Sequence, residues 1–565
     1  MIDLQINGQT ISLNVSPEVF KGLTEQQIEW CALNAERYIF SEWVQKVGLT
    51  LDGQPFSFDR HEYLQEPYEM LRDSHEMIFE KAAQMGLSTL TLLNAFHGAK
   101  HGAYPHGVLY LLPSKTDVTE FSKSKAQGII DQNPVIRGWI TETDAANIKK
   151  IGDAWLYFRG MQSRVGLKTI SVDLVIFDEI EEVEDWSLVA LAEERMSHVE
   201  NPSTHRLSVP SVPEYGIDLY FAGHSDGSVE PSDMRYWLVK CSHCNTETCL
   251  EDEFPDCIVE VSAKDQKAIR VCKKCQQEIN PSNGRWVAKK PGQRIIGYHF
   301  SQLFSHFINP WKIIDQFNKK RELTTLFNDK LGIAYVEAEA RLEVQEVLSL
   351  CGSLPQLAAF EGPAAMGVDQ PKEEGGKFHV IISYKQEGQL CNVARVCIRN
   401  TWNELSDLIK NFNVTRCVVD ALPDQAKARD FAQAHRNQVF MCFYNEHQKG
   451  APRWNEDDWT VMVDRTEAHN TLTRLCHERS VSLPRKDDDV ILFAKHLHAM
   501  ARKRETDQDT GSVTHIWKKT GEDHYRHAFA YCLLALAEVG EYVPPKKEKD
   551  WMKQRRQSAS SWRTV

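Results

Sequence analysis

The sequence of 565 residues contains no run that approaches the roughly 20 uninterrupted apolar residues of a membrane-spanning helix. Residues Met1 to Thr10 lack the basic stretch and apolar run of a secretion signal, so we expect a soluble, unexported chain. Basic residues are outnumbered by acidic ones, 66 to 79, and the net charge of −13 argues against a uniformly basic surface for static nucleic-acid binding. An enzyme that repeatedly releases and regrips DNA needs only local basic surfaces, so that class stays open.

We find no internal repeat, and the apolar content of 42% and charged content of 26% are typical of globular proteins. At about 150 residues per domain, the length predicts three or four domains. Fourteen cysteines in a chain without a secretion signal indicate reduced thiols, some of them on a metal, in a reducing cytoplasm.

The chain divides into segments of different pattern. Short apolar runs alternate with helical stretches over residues 55–235, which predicts a largely parallel sheet covered by helices. The other predicted segments are an N-terminal accessory region (1–54), a cysteine-rich, strand-poor module (236–292), a mostly helical end of the first domain (293–350), a Gly- and Pro-punctuated linker (351–363), a second mixed α/β domain (364–543) and a flexible basic tail (544–565).

The segment IFEKAAQMGLSTL predicts an irregular phosphate-binding loop. An apolar strand end leads into a short loop with Gly86, and Ser88 and Thr89 then open an apolar helical run. Such a loop offers backbone N–H groups and a positive helix end to phosphates, and a hydroxyl to Mg²⁺. Relative to the usual G-x-x-x-x-G-K-[ST] pattern, Lys81 stands at the first glycine and Leu87 at the lysine.

An acidic pair follows a second apolar strand in the segment VDLVIFDEIEEVED. Val172 to Phe177 form a buried-strand signal that ends in Asp178 and Glu179. One carboxylate at such a strand end can hold Mg²⁺ while the other positions the attacking water. A charged strand end that leads into a solvated acidic helix would give the same pattern. The order and spacing of the loop and the acids favour a P-loop ATPase.

Two C-x-x-C knuckles predict a closed, structural Zn²⁺ site, because each can place two thiolates on one tetrahedral ion. The knuckles are Cys241 with Cys244 and Cys272 with Cys275. Cys249, Cys257 and His243 are less regular alternatives. Basic residues crowd the module, where they could contact DNA phosphates or form a solvated surface: Lys240, Arg270, Lys273, Lys274, Arg285, Lys289 and Lys290.

Acidic residues also end two strands of the second mixed domain. Asp369 follows one apolar strand, Asp420 ends another, and Asp523 opens an apolar helix near the chain's end. An RNase H-like fold uses acids in this arrangement to hold two metal ions that cleave a phosphodiester. Each acid alone is equally consistent with a strand end or a helix cap. His524 is a candidate auxiliary ligand or a surface histidine, and we interpret Asp464 as a helix cap.

Over residues 55–540 the chain resembles the large terminase subunits of tailed bacteriophages, especially the lambda-like (GpA-type) group. The phosphate loops of that group carry the lysine near their start, and this variant is fitted by Lys81, Gln84, Gly86, Ser88 and Thr89. The resemblance implies that Lys81 neutralises the β- and γ-phosphates of ATP. It also implies that Ser88 or Thr89 holds Mg²⁺ together with Asp178. Glu179 would activate the attacking water.

The same resemblance extends to the segment Leu111 to Ile136, which lies between the two ATP motifs. It implies a motif at Ser208-Val-Pro-Ser211 that couples hydrolysis to domain movement. An arginine finger is also expected, with Arg159 and Arg164 as candidates.

The fold that the resemblance implies is a P-loop (ASCE-type) α/β ATPase domain with a zinc-ribbon insertion, followed by an RNase H-like α/β nuclease domain. The implied function is ATP-driven translocation of viral double-stranded DNA into a procapsid, with Mg²⁺- or Mn²⁺-dependent endonuclease cleavage of concatemeric DNA. In the nuclease domain Asp369, Asp420 and Asp523 would be the catalytic metal ligands.

The implied partners are double-stranded DNA, a small terminase subunit, and the portal protein of the procapsid, on which a homo-oligomeric ring would assemble. The small subunit would contact the N-terminal region and the portal would contact the basic tail, in the host cytoplasm and away from any membrane. Two alternatives remain. One is a DNA-repair helicase-nuclease, and the other is a non-enzymatic DNA- or capsid-binding module with a degenerate ATP site.

Overall fold

The structure is a computed structural model that describes residues 2–6, 9–13, 21–22, 24–28, 39–224, 227–337, 340–371, 375–386, 389–445, 450–506 and 513–543. The chain divides into two compact units, Met1–Glu337 and Ala338–Val565. Among the described residues, none of the helices has the length and apolar character needed to span a bilayer. The predicted basic tail, residues 544–565, lies outside the described residues.

The first unit contains these strands: β1 (Ile2–Ile6), β2 (Gln9–Leu13), β3 (Thr50–Leu51), β4 (Gln54–Pro55), β5 (Glu76–Lys81), β6 (Val108–Leu112), β7 (Ile140–Ala145), β8 (Ile148–Ile151), β9 (Ala154–Gly160), β10 (Leu174–Asp178), β11 (Ser203–Ser208), β12 (Arg235–Lys240), β13 (Glu247–Cys249), β14 (Ile258–Ser262), β15 (Lys267–Arg270), β16 (Gly284–Ala288) and β17 (Ile296–Phe300). Its helices are α1 (Phe40–Lys46), α2 (Gln65–Met70), α3 (Leu87–Lys100), α4 (Lys115–Glu120), α5 (Gln127–Gln132), α6 (Pro134–Arg137), α7 (Ser187–Glu193), α8 (Gly216–Ala222), α9 (Pro310–Asn318) and α10 (Leu323–Thr325). Two π-helical turns, Phe121–Ala126 and Leu326–Leu331, continue α4 and α10.

An 11-stranded mixed sheet forms the centre of the first unit, in the order β13-β12-β17-β5-β11-β10-β6-β9-β8-β7 with β16 paired to β12. The strands from β17 to β9 are parallel to one another. Interior strands such as β6 and β10 are buried at every position, as expected when helices cover both faces of a parallel sheet. Parallel strands end at one edge of the sheet, so the loop after β5 and the acids at the end of β10 share that edge, with β11 between them.

The cysteine-rich segment was predicted to be strand-poor, and this prediction is wrong. Strands β12, β13 and β16 extend the central sheet, and β14 pairs with β15 in a separate hairpin. The segment 293–350 was predicted to be mostly helical, but it contributes β17, which pairs with β5 in the interior of the sheet. These strands are short and include polar residues or glycine, at the two ends of RYWLVK and within IGYHF, so their apolar signal is weaker than that of the other interior strands.

The N-terminal boundary also differs from the prediction. Residues 1–54 were assigned to an accessory region, but Phe40 and Trp43 on α1 lie in the core of the first unit. The ring of Phe40 stacks on Tyr68 at a centroid distance of 5.4 Å, and the ring of Trp43 lies 5.0 Å from His97 of α3. The segment that follows residue 38 therefore belongs to the same core as the phosphate loop.

The second unit contains the strands β18 (Ala364–Asp369), β19 (Phe378–Gln386), β20 (Gln389–Arg399), β21 (Val414–Asp420), β22 (Val439–Tyr444), β23 (Arg453–Asn455), β24 (Thr460–Val463), β25 (Val481–Ser482), β26 (Met500–Thr506), β27 (Val513–Lys519) and β28 (Glu541–Tyr542). Its helices are α11 (Val344–Leu348), α12 (Trp402–Asn411), α13 (Gln425–Ala434), α14 (Arg465–His477), α15 (Asp488–His498) and α16 (His524–Ala537). A 9-stranded sheet has the order β23-β24-β22-β21-β18-β19-β20-β25, with β28 paired to β19. Strands β18, β19 and β20 are antiparallel, whereas β21 and β22 run parallel to β18.

The segment 351–363 was predicted to be a linker, yet it packs along the second unit. The N–H groups of Gly352 and Leu357 donate to Leu483 O and Ala394 O, each at 2.9 Å. The boundary between the units falls after Glu337 instead, and α11 belongs to the second unit. Frequent glycine and proline residues indicate an irregular backbone, but they do not show whether the segment packs against a domain or is a free linker.

Helix α16 lies in backbone contact with the sheet of the second unit at Gly367. A Cβ at that position would meet Ala528 O at 2.0 Å and Cys532 N at 2.2 Å. A residue without a side chain is therefore required for this approach. The close packing of α16 on β18 fixes the position of the first residues of the helix at the carboxyl end of β18.

Candidate ATP and metal sites

The phosphate loop joins the end of β5 to the start of α3. Gln84 and Gly86 both have left-handed backbone conformations, with φ of 60° and 87°. Gly86 is the N-cap residue, and no side chain caps the first N–H groups of α3. Earlier in the loop, the N–H groups of Ala82 and Ala83 donate to Phe300 O at 2.6 Å and Asp329 O at 2.7 Å. The loop is therefore anchored at its start by β17 and the following segment, and it presents the N-terminus of α3 at its end.

The predicted ATP residues meet at the carboxyl edge of the sheet. Lys81 Nζ, at the end of β5, donates to Glu179 Oε1 at 2.8 Å, and Glu179 directly follows β10. Asp178 is buried, and its Oδ2 accepts a hydrogen bond of 2.7 Å from the hydroxyl of Tyr110 on β6. Glu179 follows β10 in a left-handed conformation with φ of 57°, which turns its side chain toward Lys81 and Ser208.

The charges of this cluster are coupled. Burial raises the pKa of Asp178, and the adjacent Glu179 carboxylate raises it further. Burial also acts to raise the pKa of Glu179, but the charge and hydrogen bond of Lys81 bring that pKa below its usual value. Burial would lower the pKa of Lys81, and the two carboxylates instead raise it. Lys81 and Glu179 therefore form a charged pair beside a buried carboxyl group that metal binding would have to keep ionised.

The segment predicted to couple hydrolysis to movement is attached to the acids that follow β10. Ser208 Oγ donates to Glu179 Oε2 at 3.0 Å. Glu181, which is buried, accepts hydrogen bonds from the N–H groups of Ser211 at 3.1 Å and Ile217 at 2.9 Å. A movement of the Glu179 or Glu181 side chain would therefore alter the hydrogen bonds of the segment from Ser208 to the start of α8.

A cavity of about 330 Å³ opens beside the phosphate loop. From the loop it is lined by Gln84, Met85, Gly86 and Thr89. Its other walls are formed by Leu51, Asp52, Gln54, Pro55, Phe56, Ser57, His61, Tyr63, Leu64, Tyr68, Ser124, Lys125, Gly128, Ile129 and Gln132. The volume falls in the range of small-ligand pockets, which begins at about 300 Å³, and aromatic walls beside a phosphate loop suit a nucleoside.

Lys125 brings a second cationic side chain to this cavity from the π-helical turn Phe121–Ala126. Burial lowers the pKa of Lys125, and the carboxylate of Asp178 opposes that effect. The charge of Lys81 also lowers the pKa of Lys125, so the charges of the two lysines and of Asp178 interact with one another. By contrast, the arginine-finger candidate Arg159 donates to Asn147 O, and Arg164 donates to Ser187 Oγ at 2.9 Å.

The four knuckle cysteines come together as predicted. The sulfur atoms of Cys241, Cys244, Cys272 and Cys275 all lie within 4.8 Å of one another. In each knuckle the first cysteine accepts a backbone hydrogen bond of 3.0 Å from a left-handed residue, Asn245 or Gln276. The alternative ligands lie elsewhere: Cys249 contacts Glu251, and Cys257 donates to Leu250 O at 3.2 Å. This donor set fits a tetrahedral zinc ion.

Most basic residues around the cysteines have acidic or backbone partners. Arg285 pairs with Glu247 at 2.7 Å, Lys289 with Asp252 at 2.9 Å, and Lys273 with Glu253 at 3.5 Å. Arg270 is buried and donates to the carbonyl oxygens of Leu303, Ser305 and Ile308. The suggestion that Arg270 contacts DNA is therefore wrong, because its guanidinium group holds the core together.

In the second unit, two of the predicted acids end neighbouring parallel strands. The register pairs Val368 of β18 with Val419 of β21, so Asp369 and Asp420 follow at adjacent positions. Burial raises the pKa of Asp420 to about 6, and the carboxylate of Asp369 adds to this rise. The two carboxylates therefore interact, as acids that share a cation site would.

The third predicted acid, Asp523, directly precedes α16 and is buried. Its Oδ1 accepts a hydrogen bond of 2.7 Å from Lys519 Nζ, and its Oδ2 lies 3.3 Å from His527 Nε2. Burial acts to raise the pKa of Asp523, but the hydrogen bond and charge of His527, with the charge of Lys519, hold it far below its usual value. Among the described residues, the ligand atoms of Asp369, Asp420 and Asp523 do not form one group within 4.8 Å, so the predicted three-carboxylate cluster is not assembled in this structure.

The group that does assemble around Asp369 contains two histidines. The ligand atoms of Asp369, His379 and His524 all lie within 4.8 Å of one another. His524 Nδ1 donates to Asp369 Oδ2 at 2.8 Å, which raises the pKa of His524. Burial and the neighbouring His524 and His496 lower the pKa of His379 to about 3. The interpretation of Asp464 as a helix cap is confirmed, because its side chain accepts from Glu467 N at 3.0 Å.

Sequence reasoning missed three residues of these sites. Tyr110 lies within the apolar run VLYLL and reads as a core residue, although its hydroxyl bonds to Asp178. Lys125 lies in a polar helical segment with several other lysines. His379 lies in a buried strand, where one histidine among apolar residues gives no metal signal. A register that pairs β18 with β19 would have revealed His379, because it places that residue opposite Asp369.

Residues 53–292 match the family model described as "Phage terminase large subunit gpA, ATPase domain". This part of the chain is similar to the ATPase domains of phage terminase large subunits. This match confirms the resemblance to the gpA-type large terminase subunits, and it includes the phosphate loop, the acids after β10 and the cysteine module. No curated protein matches the sequence significantly.

Solved structures similar to this chain include three phage terminase proteins. The large terminase of bacteriophage HK97 is 13% identical with a TM-score of 0.49, and the match covers 88% of this chain and 99% of that one. The large terminase of a thermophilic bacteriophage, in complex with ADP, is 10% identical, with a TM-score of 0.31 and coverage of 86% and 100%. The magnesium-bound large terminase nuclease of the thermophilic phage G20c is 14% identical, with a TM-score of 0.24 and coverage of 35% and 97%.

Proposed function

We propose that this chain is the motor and nuclease of a viral DNA-packaging machine. The first unit hydrolyses ATP to drive double-stranded DNA through the portal into a procapsid, and the second unit cuts the concatemeric DNA. The observation that carries the proposal is the meeting of Lys81, Asp178 and Glu179 at one sheet edge, inside a segment that matches a terminase ATPase domain.

In the ATP site, each residue has a role that follows from its position. Lys81 binds the β- and γ-phosphates of ATP, Ser88 or Thr89 and Asp178 hold Mg²⁺, and Gln84 and Gly86 shape the loop. Bound Mg²⁺ would neutralise charge that develops on the transferred phosphoryl group. The phosphates compete with Glu179 for Lys81. Once the lysine binds the phosphates, the Glu179 carboxylate becomes free to accept a proton from the attacking water.

Coupling of hydrolysis to movement follows from the same residue. Glu179 accepts hydrogen bonds from Lys81 and Ser208 on different oxygens. A reorientation of its carboxylate on nucleotide binding therefore changes the support of the segment that starts at Ser208. This segment is also held by Glu181, so the two acids form the connection between the nucleotide and α8.

The nuclease proposal is supported by the acids at the carboxyl ends of β18 and β21 and by Asp523 at the start of α16. An antiparallel meander, β18 to β20, followed by the parallel strands β21 and β22, is compatible with the RNase H-like fold. Asp369, Asp420 and Asp523 would hold Mg²⁺ or Mn²⁺, which activates water and stabilises the leaving oxygen in such sites. Asp523 would have to leave Lys519 and His527 in part to join the cation.

The remaining proposals concern structure and partners. The four-cysteine group holds a structural Zn²⁺ ion in a ribbon whose strands β12 and β16 join the central sheet. The chain acts as a homo-oligomeric ring on the portal in the host cytoplasm, with a small terminase subunit as a further partner. An arginine from a neighbouring copy would supply the finger, since Arg159 and Arg164 are already bonded within this chain.

The test of the motor is packaging of double-stranded DNA into purified portal-bearing procapsids with ATP. We expect DNA to become protected from added nuclease with the wild-type chain and not with Glu179→Ala. If both proteins hydrolyse ATP at the same negligible rate with DNA present, the chain is a binding module with a degenerate ATP site. For the nuclease, plasmid cleavage in Mn²⁺ that persists unchanged in Asp420→Asn contradicts the assignment.

A further inference from the structure

We propose that Asp369, His379 and His524 form a cation site in the second unit that selects Mn²⁺ or another first-row transition ion over Mg²⁺. The inference deepens the proposed nuclease function, and its use in cleavage rests on that function. It replaces a purely carboxylate site with a mixed site of one carboxylate and two imidazoles. The position of the three residues, the burial of His379 and the chemistry of the donors each support it.

Backbone register brings the first two ligands together. In the antiparallel pair of β18 and β19, Asp369 lies directly opposite His379. Side chains at opposite positions of an antiparallel pair project from the same face of the sheet and contact each other. The pairing therefore holds a carboxylate and an imidazole side by side without any contribution from a mobile loop.

Helix packing adds the third ligand. His524 is the first residue of α16, whose position is fixed by the backbone contact at Gly367. Its ring stacks on that of His379 at a centroid distance of 4.7 Å and an angle of 10°, and its Nδ1 lies 2.8 Å from Asp369 Oδ2. The three ligand atoms come from β18, β19 and α16, all of them regular elements, and a cation would replace the proton that His524 donates to Asp369.

The strongest sign of a ligand is the state of His379. His379 is only 8% exposed, and its buried Nδ1 atom forms no hydrogen bond of good geometry, although the ring also interacts with the backbone of Lys377. Buried polar atoms without partners are rare, because each loses its hydration and gains nothing in return. Neighbouring groups around His379 include His524, His496 and Tyr525, whose rings lie 4.7 to 5.5 Å from it. A bound cation would give this buried imidazole a ligand bond.

The donor set determines which ion is favoured. Mg²⁺ prefers oxygen ligands in a strict octahedron, whereas the affinity of a site with nitrogen donors rises along the first-row ions from Mn²⁺ through Fe²⁺ and Co²⁺. Two imidazoles and one carboxylate therefore give a larger advantage to a transition ion than three carboxylates would. Asp420, the last residue of the neighbouring strand β21, lies outside this group of three and would supply a further oxygen ligand.

The test measures Mn²⁺ binding to the full-length chain after its cysteine site has been loaded with zinc, so that thiolates do not compete. Free Mn²⁺ is followed by electron paramagnetic resonance, and Mg²⁺ is added as competitor. We expect His379→Gln and His524→Gln each to weaken Mn²⁺ binding by about tenfold or more, as loss of ligand-shell groups commonly does. Binding of Mg²⁺ should change little. His435→Gln is the matched control, because His435 lies in the same unit and bonds to Ser406 at 2.8 Å.

A second measurement uses the wild-type chain, so it does not depend on whether the variants fold. Pulsed electron paramagnetic resonance of Mn²⁺ bound to the wild-type chain should show coupling to imidazole nitrogen. Absence of nitrogen coupling, or equal competition by Mg²⁺ and Mn²⁺, overturns the proposal. Loss of Mn²⁺ binding in Asp420→Asn and Asp523→Asn but not in the histidine variants would identify the three-carboxylate site instead.

The same experiments separate this inference from the nuclease proposal. If Mn²⁺ shows coupling to imidazole nitrogen but the chain does not cut DNA, the cation site is supported and the nuclease proposal is contradicted. Cleavage that proceeds equally in Mg²⁺ and is untouched by His379→Gln would leave the nuclease standing and remove the histidine site.

Discussion

Each unit places an acid at the carboxyl end of a parallel strand and compensates its charge with a nearby nitrogen, but the two use different nitrogens. In the first unit Lys81 pairs with Glu179 at 2.8 Å. In the second unit His524 pairs with Asp369 at 2.8 Å. A lysine ammonium can donate but cannot act as an acceptor or ligand while charged, whereas a histidine can give up its proton and bind a metal. The lysine site is therefore built for an anionic competitor, and the histidine site for a cationic one.

The largest expected effect comes from removing the carboxylate of Glu179 in the first unit while keeping the shape of its side chain. In Glu179→Gln the amide can still accept from Lys81, but it cannot take a proton from water. We expect DNA-stimulated ATP hydrolysis to fall by about 10²- to 10⁴-fold, the usual contribution of a general base. Phosphate release measures this change. Glu184→Gln, on the exposed side of the same acidic run, should hydrolyse ATP like the wild type. Plasmid cleavage by the second unit should be unaffected in both variants.

A substitution in the four-cysteine group tests whether the first unit holds a metal ion in a closed, structural site. We expect Cys272→Ser to lose about one zinc ion per chain and to lower the melting temperature, because structural zinc contributes folding free energy. Zinc is measured by atomic absorption and unfolding by calorimetry. Cys257→Ala, a buried cysteine outside the group, should keep its zinc. Unchanged zinc content in Cys272→Ser contradicts the assignment of this ligand.

Gly367→Ala tests whether α16 holds the second site together. The added methyl group would collide with the backbone of Ala528 and Cys532, so we expect a loss of about 1–3 kcal/mol in the free energy of unfolding, typical of overpacking. Binding of Mn²⁺ should weaken with it, since His524 moves with the helix. Chemical denaturation measures the first effect. Gly540→Ala is the control, because a Cβ there meets no atom within 4 Å. Equal stability of the two variants would show that the helix is free to adjust.

The smallest expected effect concerns the second lysine of the ATP site. Lys125→Met keeps the length of the side chain and removes its charge from the cavity beside the loop. We expect the affinity for ATP to fall by about tenfold, or about 1.4 kcal/mol, while the affinity for adenosine stays nearly unchanged. Fluorescence titration with labelled nucleotides measures both. Lys123→Met alters an exposed lysine of the same helical turn and should bind ATP normally.

Local sequence motifs predicted much of the first unit and less of the second. The strand ending in Asp178 and Glu179, the loop with Gly86 and the four cysteines needed only neighbouring residues to be recognised. Asp369, His379 and His524 are distant in sequence and become neighbours only through strand register and helix packing. No local pattern carries that information. The pairing of Asp523 with His527, by contrast, follows from their four-residue spacing at the start of a helix, which the sequence displays.

Strand assignment failed for a related reason. The interior strand β17 includes Gly297 and His299 between apolar residues, so its pattern is broken although every position is buried. His299 is kept inside by Glu80 of the adjacent β5, whose carboxylate lies 3.0 Å from its Nδ1. This buried polar residue interrupts the apolar run of β17 and hides that strand from a prediction that relies on apolar runs.

The position of β17 has a practical consequence for anyone who divides this protein. The family match ends at residue 292, before β17 begins at Ile296. A fragment cut there would leave β5 as an unpaired edge, with its row of N–H and C=O groups open to pairing with other chains. It would also free the N–H of Ala82, which bonds to Phe300 O. We expect such a fragment to aggregate, whereas one that continues to Glu337 retains the neighbour that covers that edge.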